Sequence, residues 1–382
     1  MTQVFSPRRH TPYYHQQISL GAEMADRIGY DAAVKFTSTA NEHLATRKTA
    51  GQYDVYHQVI VEVKGHDAEK LLNHALVNDV SKMKPGRALY SSVCNAQGGM
   101  VDDLICYKVA DDFYRLCPTP SRVDIIVAYL SEKARTDGLN AYVTNLGIGR
   151  AFISVQGPKA REILQPLCDV DISNSALPYY GFTHGRVAGV ADAMISRTGY
   201  SGELGFEVFY AGEYAHSVFA IVANAGRPFG MEPAGLGALR SVRIEKKYPL
   251  YGLDLNETTS PLEAGLGWTV RFDKTGGFVG REALIKQRDQ GVTRQLVAMV
   301  LPDLSHLPTI GDGIEVGNRS VGSVTSSDYG HYLGKSIAMG YVATDAAVDG
   351  AAVTLKGKDG KQVAAVVTLK APLDPDMTRI KV

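Results

Sequence analysis

Residues 286–291, KQRDQG, separate two stretches of sequence that differ in hydrophobic pattern. On the carboxyl side, short runs rich in valine, alanine and leucine alternate with turn residues, as in QLVAMVL (295–301) and KQVAAVVTLK (361–370). Such runs, with little helical periodicity between them, are typical of a β-barrel or β-sandwich. The pattern therefore predicts a separate C-terminal β-barrel or sandwich domain over residues 291–382.

On the amino side of this stretch, strand-like and helix-like segments alternate. VIVEVKG (59–65) alternates as a strand, and DAEKLLNHAL (67–76) then places its apolar residues on one helical face. AFISVQGPKAREILQPL (151–167) repeats the strand-then-helix order, with glycine and proline at the junction. The predicted fold class of the chain is α+β.

Composition and charge exclude several classes of partner. The 382 residues suffice for two or three domains with sizeable cores, and 40 lysines and arginines balance 40 aspartates and glutamates. Because binding to nucleic acid or an anionic membrane depends on excess positive charge, neither is expected as the main partner. The sequence shows no secretory signal, no apolar run long enough for a membrane helix, and no C-x-x-C pair among its four cysteines. We therefore expect a cytoplasmic protein without a metal site.

Common cofactor motifs are incomplete. Gly147-Ile148-Gly149 lacks the third glycine of a dinucleotide-binding loop, and residues 199–203 lack the final glycine of a nucleophile elbow. The sequence has no phosphate-binding P-loop and no H-E-x-x-H motif. These gaps disfavour flavin, nicotinamide, nucleotide and metal chemistry. The 20 tyrosines, against 11 phenylalanines, indicate either a tyrosine-lined polar cavity or a simple compositional bias.

Two adjacent aspartates follow a pair of glycines in GGMVDDL (98–104). The pattern predicts a turn leading into a strand, and adjacent strand residues face opposite sides, so only one of Asp102 and Asp103 can point into a given cavity. A carboxylate held beside tyrosines such as Tyr90 can act as a base or stabilise a developing cation. A hairpin with two solvated acids is the alternative.

Three glycines surround Tyr200 in SRTGYSGELGFEV (196–208), which predicts a tight loop followed by a strand. In that strand Glu207 points away from its apolar neighbours. A carboxylate there can accept two N–H donors from an amino-pyrimidine edge, or it is an exposed strand residue.

Two further segments carry unusual residues. RSVRIEKK (240–247) predicts a helix on which Arg240, Arg243 and Lys247 share a face, either as a solvated surface or as a site for a carboxylate-rich tail. TTSPLEAGLGW (258–268) contains the one tryptophan of the chain and taken alone predicts a glycine-rich turn.

Together and in this order, the segments resemble the aminomethyltransferase family, which comprises the T-protein of the glycine cleavage system and its tetrahydrofolate-dependent relatives. The resemblance extends from about residue 12 to about residue 370. Further matching segments are EHLATRKTAGQYDV (42–55), VQGPKA (155–160), FVGREAL (278–284) and IAMGYV (337–342).

The resemblance implies a three-domain, cloverleaf-like T-protein fold around a central channel that binds tetrahydrofolate. Residues 1–290 are then the folate-binding region, built from two interwoven α/β subdomains, and residues 291–382 are the barrel. The predicted subdomains are roughly 1–50 with 145–240, and 51–144 with 241–290.

The family's functional residues map onto specific positions of this chain. Asp103 matches the aspartate near the reacting folate nitrogens, and Tyr90 lies at the corresponding tyrosine. Tyr200 and Glu207 match the pterin-contacting pair, and Tyr180 is expected to line the same cavity. In such enzymes folate N5 accepts the one-carbon unit, and the carboxylate assists by proton transfer and by stabilising a cationic carbon centre.

A family arginine that holds the folate glutamate tail falls on Leu239, which leaves Arg240 or Arg243 as substitutes. Other departures are RIGYDAA (27–33) in place of F-A-G-W-x-x-P, DVYHQ (54–58) in place of D-V-S-H-M, and CPTPSR (117–122) in place of V-N-A-S-x-R. The last removes a pterin-side asparagine, and the sequence after residue 370 also lacks the usual ending.

These departures lead to a first expectation about substrate. They argue against docking of a lipoylated carrier protein and favour transfer of a methyl or methylene group from a small methylated or aminomethyl donor to N5 of tetrahydrofolate, in a demethylase-like enzyme. The nearest alternative is a genuine glycine cleavage T-protein. A third possibility, of another class, is a folate-binding module without catalytic activity.

Overall fold

The computed structural model describes residues 8–27, 29–55, 59–302 and 307–382. The chain forms two compact units: the first comprises Met1–Val59, Leu146–Arg240 and Thr378–Val382, and the second comprises Ile60–Asn145 and Ser241–Met377. The departures from the family pattern at Ile28 and at residues 56–58 (Tyr56, His57, Gln58) lie outside the described residues. The division of the chain into three domains stays a prediction.

A six-stranded sheet lies in the first unit. Its strand order is Phe182–Val187, Val190–Ser196, Gly205–Ala211, Arg150–Gln156, Gly51–Asp54 and Glu232–Ala234. Neighbouring strands are antiparallel except for the last pair, which is parallel. A three-stranded sheet of the same unit has the order Arg9–His10, Tyr30–Lys35 and Glu23–Arg27.

Alternation along the central strands builds the core of the first unit. Ile153 pairs with Val208 and Val155 with Phe206, and all four side chains are buried in one cluster with Phe219. Because strand neighbours face opposite sides, this pairing turns the intervening residues to the other face of the sheet. The α-helices of this unit are Tyr14–Ser19, Thr39–Lys48, Ala160–Leu164 and Ala215–Gly226.

The second unit contains a five-stranded antiparallel sheet and a closed barrel. The strand order of the sheet is Arg87–Cys94, Met100–Ala110, Phe113–Cys117, Val61–Lys64 and Tyr142–Asn145. The order around the barrel is Arg294–Leu301, Lys335–Ala343, Arg319–Gly330, Gly313–Val316, Ala352–Lys356 and Gln362–Thr368. The α-helices of this unit are Ala68–Ala75, Val123–Thr136 and Arg281–Gln290.

One more α-helix, Leu236–Glu245, and short 3₁₀-helices complete the secondary structure. The 3₁₀-helices are Val80–Lys82, Pro120–Arg122, Gly147–Gly149, Gln165–Leu167, Gly212–Tyr214, Arg227–Phe229, Gly267–Thr269 and Thr344–Ala346. Within the described ranges, no helix combines the length and apolar character required to cross a membrane.

The structure confirms the elements that the hydrophobic pattern predicts. The predicted C-terminal β domain is a closed barrel filled by alternating residues such as Val297, Met299 and Leu355. The predicted strand and helix over 59–76 are present as Val61–Lys64 and Ala68–Ala75. In each case the apolar positions that set the periodicity are buried.

Candidate functional site

The glycine pair before the two aspartates permits a close backbone contact within the second unit. Gly98 has φ +84°, in the left-handed region, and a Cβ on Gly99 would stand 1.9 Å from the carbonyl oxygen of Glu257. With no side chain in the way, the backbone N–H of Met100 donates to the carbonyl oxygen of Thr259 at 2.9 Å. The segment 258–268 is thereby fixed against the start of the strand that carries Asp103.

Among the described residues, one carboxylate oxygen of Asp103 accepts a hydrogen bond and the other accepts none. The hydroxyl of Tyr90 donates to Oδ2 of Asp103 at 2.8 Å. Oδ1 is buried and has no hydrogen-bond partner among the residues that the structure describes. Burial raises the pKa of Asp103 to about 6, although the hydrogen bond from Tyr90 opposes the rise. The group is thus a carboxylate above pH 6 with one oxygen ready to accept a proton or an N–H donor.

Asp102 has different surroundings from its neighbour. Its side chain is fully buried, and the backbone N–H of Thr119 donates to its Oδ2 at 3.1 Å. Burial and the nearby Asp103 charge both raise the pKa of Asp102 well above its ordinary range, against the effect of the hydrogen bond from Thr119. Of the pair, Asp103 is the one that accepts the Tyr90 hydroxyl, and it stays the candidate base that the family resemblance implies.

Aromatic rings lie beside Asp103. Tyr90 and Trp268 are stacked with ring centroids 6.1 Å apart and an interplanar angle of 27°, and 58% of Trp268 is exposed. In the same unit, the Arg122 guanidinium lies 5.1 Å from the ring centroid of Tyr251. The second unit therefore presents a carboxylate next to an exposed aromatic surface.

In the first unit, Glu207 lies partly exposed on the strand Gly205–Ala211. The hydroxyl of Thr198 donates to Oε2 of Glu207 at 2.5 Å, and a further hydrogen bond at 2.8 Å joins the hydroxyls of Ser196 and Thr198. Burial of the carboxyl group raises the pKa of Glu207 to about 7, against the effect of Thr198. Within the described part of the chain, Oε1 of Glu207 accepts no hydrogen bond and faces no cation.

Gln156 supports the loop that precedes Glu207. A Cβ on Gly199 or on Gly205 would stand 2.1 Å from Oε1 of Gln156, so a side chain at either position would displace the glutamine from its present contacts. The Gln156 amide nitrogen donates to the carbonyl oxygen of Thr198 at 3.1 Å, and the Ser201 hydroxyl donates to its Oε1 at 2.7 Å. Sequence reasoning missed this residue, although VQGPKA was among the matching segments. The buried glutamine side chain thus accounts for Gly199 and Gly205, whereas Gly202 has φ +74°, in the left-handed region that favours glycine.

A buried ion pair anchors the same loop. The Arg47 guanidinium donates to the carboxylate of Glu203 and to the carbonyl oxygen of Ser201, each at 2.8 Å, and Arg379 donates to Glu203 at 2.8 Å. Arg47 and Glu203 are almost fully excluded from solvent. These contacts explain the arginine of the segment 42–55, which sequence reasoning matched to the family without assigning it a role.

Tyr180 and Tyr200 belong to the first unit, as does Glu207, and both are half-buried. Tyr180 has φ +61°, an unusual conformation for a tyrosine, and packs edge-to-face on Tyr179 with ring centroids 4.7 Å apart. The backbone N–H of Tyr180 donates to the carbonyl oxygen of Arg197, next to the loop. The predicted roles of both tyrosines in pterin contact stay predictions.

The helix carrying the predicted arginines differs from expectation. It ends at Glu245, and Lys247 follows it with φ +55° and donates to the carbonyl oxygen of Leu369, so Lys247 does not share a helical face with the arginines. Arg243 is buried and its guanidinium donates to Asp254 and to Ser326, each at 2.8 Å.

These contacts give Arg243 a structural role within the second unit. Arg240 is partly exposed and forms no ion pair with the described residues, and its Nε is buried without a hydrogen-bond partner among them. Of the two arginines, Arg240 therefore remains the candidate for binding a carboxylate-rich tail.

A cavity of about 550 Å³ lies elsewhere in the second unit. It is lined by His74, Lys274, Phe278 and Arg281, among others, and contains none of the predicted site residues. Lys274 donates its three protons to the carbonyl oxygens of Asn73, Leu76 and Asn78, which gives the ammonium group a structural role. Asp103 and Glu207 therefore remain the candidate functional residues, and neither lines this cavity.

Comparison with known proteins covers nearly the whole chain. The family model described as the GCVT N-terminal domain matches residues 13–274, and the glycine cleavage T-protein C-terminal barrel domain matches residues 294–374. The chain is 36% identical over 349 residues to an aminomethyltransferase of Halothermothrix orenii, covering 91% of this chain and 95% of the relative. It is 38% identical over 361 residues to an aminomethyltransferase of Moorella thermoacetica, covering 94% and 97%.

A solved structure supports the same relationship. The crystal structure of glycine cleavage system aminomethyltransferase T from Bartonella henselae matches with a TM-score of 0.88 and 27% identity, over 96% of this chain and 98% of that one. This match confirms the predicted α+β T-protein fold with its C-terminal barrel.

Proposed function

Because the chain belongs to the aminomethyltransferase family and is an enzyme, we propose that it transfers the one-carbon unit of an aminomethyl group to N5 of tetrahydrofolate. The donor in this proposal is an aminomethyl group carried on the thiol of a lipoylated protein, as in a glycine cleavage T-protein. The observation that carries the proposal is the Asp103 carboxylate, with Tyr90 on Oδ2 and no partner from the described residues on Oδ1.

The demethylase-like expectation has weaker support than its alternative. It rested on local departures from the family pattern, whereas relatives over more than 90% of the chain are named aminomethyltransferases. Of the departure at residues 54–58, positions 56–58 lie outside the described residues. The family arginine that holds the folate tail is replaced by Leu239, but the adjacent Arg240 can take over its role. We therefore include a lipoylated carrier protein as the proposed partner and drop the small methylated donor as the main substrate.

The transfer places a specific demand on the carboxylate. The carbon of an aminomethyl thiol loses its bonds to nitrogen and to sulfur and forms bonds to N5 and N10 of tetrahydrofolate. The protons released from these two folate nitrogens complete ammonia and the free thiol, and methylene-tetrahydrofolate is the third product. Cationic charge develops on the carbon while these bonds change. An ionised Asp103 stabilises that charge through Oδ1 and takes up or returns a proton there, and its partial burial strengthens both effects.

Tyr90 prepares the carboxylate for this role. By donating to Oδ2 it fixes the orientation of the group and lowers the pKa of Asp103 from the value that burial alone would give. Burial alone would favour the protonated form of Asp103, and the hydrogen bond from Tyr90 favours the ionised form at neutral pH. The side chain of Asp102 points to the opposite face of the sheet, and burial raises its pKa.

Glu207 has the features required to bind the pterin ring. Its Oε2 accepts from Thr198, and its Oε1 is available to an N–H donor of the flat amino-pyrimidine edge. The loop 199–205, which carries Tyr200, is held by Gln156 and by the Arg47–Glu203 ion pair. We assign binding of the pterin ring to Glu207 and the one-carbon chemistry to Asp103. Each assignment has its own test.

The experiment that tests the proposal compares donors. Purified protein and tetrahydrofolate are incubated with aminomethyl-loaded lipoylated carrier protein, or with a panel of methylated amines, sulfonium compounds and methoxylated aromatics. We expect methylene-tetrahydrofolate and ammonia to form when the donor is the loaded carrier protein, and not when it is a compound from the panel. Product from a methylated donor but not from the carrier would restore the demethylase-like alternative, and folate binding without any transfer would favour the non-catalytic module.

A further inference from the structure

Trp268 is a large aromatic residue that is more exposed than packing requires. It lies in the single-turn 3₁₀-helix Gly267–Thr269, where 58% of its surface is exposed, and no other tryptophan is present in the chain. Its ring nevertheless has a defined partner, because it stacks on the ring of Tyr90 with the two centroids 6.1 Å apart. The proposed function gives this residue no role.

The turn that carries Trp268 is rigidly held. Leu266 and Val270 on either side are buried in one cluster, against which Tyr90 also packs. The Thr269 backbone N–H and hydroxyl both donate to the carbonyl oxygen of Leu266, at 2.9 and 2.7 Å. The carbonyl oxygen of Glu263, which precedes the 3₁₀-helix in the chain, accepts from the backbone N–H of Leu296 in the first barrel strand at 2.8 Å. The backbone that carries Trp268 is therefore fixed, and the indole ring extends from it against Tyr90.

Tyr90 contacts both Trp268, through its ring, and Asp103, through its hydroxyl. Its backbone is paired with Ile105 in the sheet and its carbonyl oxygen accepts from Asn78 at 3.0 Å, so the main chain is fixed. The side chain still has two rotatable bonds, and only a restricted range of ring orientations brings the hydroxyl to 2.8 Å from Oδ2 of Asp103. Contact with the Trp268 ring on one face limits that range.

We propose that Trp268 is a positioning residue for Asp103, acting through the ring of Tyr90. By holding the tyrosine ring in place, the indole keeps the hydroxyl on Oδ2 and leaves Oδ1 open. The structural part of this inference stands without the proposed function, and only its kinetic consequence rests on that function.

Several other charged groups surround the pair and must be separated from Asp103 in any titration. Asp102 is its neighbour on the strand, and Asp254, from the segment after the helix Leu236–Glu245, adds negative charge that raises the pKa of Asp103. Tyr251 senses both aspartates as well as Arg122 and Glu257. Of these, Asp103 alone accepts the Tyr90 hydroxyl.

The first test uses Trp268 as its own probe. Because the chain has one tryptophan, the emission spectrum between pH 4.5 and 8.5 reports on this site alone, with no donor, carrier or folate present. We expect a titration with a midpoint near 6, which Asp103→Asn abolishes, Tyr90→Phe reduces strongly, and Asp102→Asn leaves in place. A titration that persists in Asp103→Asn would overturn the inference.

The second test measures what the indole does for the carboxylate. Trp268→Leu should move the acid limb of kcat/KM upward by about one pH unit, because loss of the tyrosine hydrogen bond raises the pKa of Asp103. Trp268→Phe, which keeps a ring, should restore most of the wild-type profile. Adding Tyr90→Phe to Trp268→Leu should cause no further displacement, since both act on one hydrogen bond.

A control and two opposing outcomes complete the design. Tyr142, an exposed aromatic of the same unit, provides the matched control, and Tyr142→Leu should leave the profile unchanged. A Trp268→Leu variant with lower thermal stability but an unmoved acid limb would show a merely structural residue. Normal fluorescence titration without any transfer activity would contradict the proposed function and leave the positioning role intact.

Discussion

Oε1 of Gln156 occupies the space that a Cβ on Gly205 would need, 2.1 Å away. The glutamine lies on one strand and the glycine on its antiparallel partner, directly paired in the register. Through its amide the same side chain holds the carbonyl oxygen of Thr198, whose hydroxyl donates to Glu207. The relationship links a glycine required by packing to the orientation of a candidate binding carboxylate.

Substituting this glycine should disturb folate binding. Gly205→Ala forces Gln156 out of its position, and overpacking of this kind costs about 1–3 kcal/mol. We expect a lower melting temperature and weaker tetrahydrofolate binding by titration calorimetry. Gly149→Ala is the matched control, because a Cβ there meets nothing within 4 Å. Equal folate affinity of the two variants would contradict the link between Gln156 and the Glu207 site.

The pKa of Glu207, raised to about 7, has consequences for stability. A carboxyl group whose folded pKa lies above its unfolded value stabilises the fold fully at pH values below the unfolded pKa, and this contribution is lost as pH rises through 7. Glu207→Gln cannot ionise, so it should melt at a higher temperature than the wild type at pH 8, with the difference shrinking towards pH 5. Thermal unfolding monitored across this range provides the measurement.

The same substitution should weaken folate binding. A neutral amide replaces charge-assisted hydrogen bonds to the pterin edge, and their loss corresponds to about 10- to 100-fold in affinity. Calorimetric titration with tetrahydrofolate at pH 8 measures the change. A Glu207→Gln variant that is more stable but binds folate as tightly as the wild type would place the pterin elsewhere.

Arg240 and Arg243 should separate binding from stability. Arg243→Met leaves the buried carboxylate of Asp254 without its cation, and breaking such a pair costs about 3–5 kcal/mol of folding stability. Arg240→Ala should leave the denaturation midpoint unchanged and weaken binding of polyglutamylated folate more than of the monoglutamate. If both folates were weakened equally, the arginine would not contact the glutamate tail.

Asp102 and Asp103 should respond differently to the same chemical change. Asp102→Asn replaces a buried acid with a raised pKa, on the face of the sheet opposite to Asp103, by a neutral group of the same shape, so turnover should stay within about threefold of the wild type. Steady-state kinetics with loaded carrier and tetrahydrofolate measure this. A large loss of turnover in Asp102→Asn, with folding unchanged, would show that the wrong member of the pair has been assigned the chemistry.

Much of the fold follows from local sequence patterns, because alternation and helical periodicity report burial directly. The barrel, the strand carrying Asp103 and the helix Ala68–Ala75 are examples. Side-chain partners that lie far apart in sequence leave no such signal. Nothing in the periodicity of residues 240–247 indicates that Arg243 is paired with Asp254, or that the helix ends before Lys247.

The candidate site shows the same division. The resemblance to a family points to Asp103, Tyr90 and Glu207, and the structure supplies the hydrogen bonds around them. The sequence did not point to Gln156, because a single glutamine in a strand forms no distinctive pattern. The two glycines whose missing side chains leave room for it lie more than 40 residues away along the chain. Trp268 was visible in the sequence, but its stacking on Tyr90 depends on the packing of the turn.

The most direct test of the account is the rate of methylene-tetrahydrofolate formation by Asp103→Asn with aminomethyl-loaded carrier protein at pH 7.5, measured beside the tetrahydrofolate dissociation constant. Because the carboxylate acts on charge and protons in the transition state, turnover should fall by about 10²- to 10⁴-fold while the dissociation constant stays within a few-fold. Wild-type turnover in the folded variant would contradict the central role of Asp103.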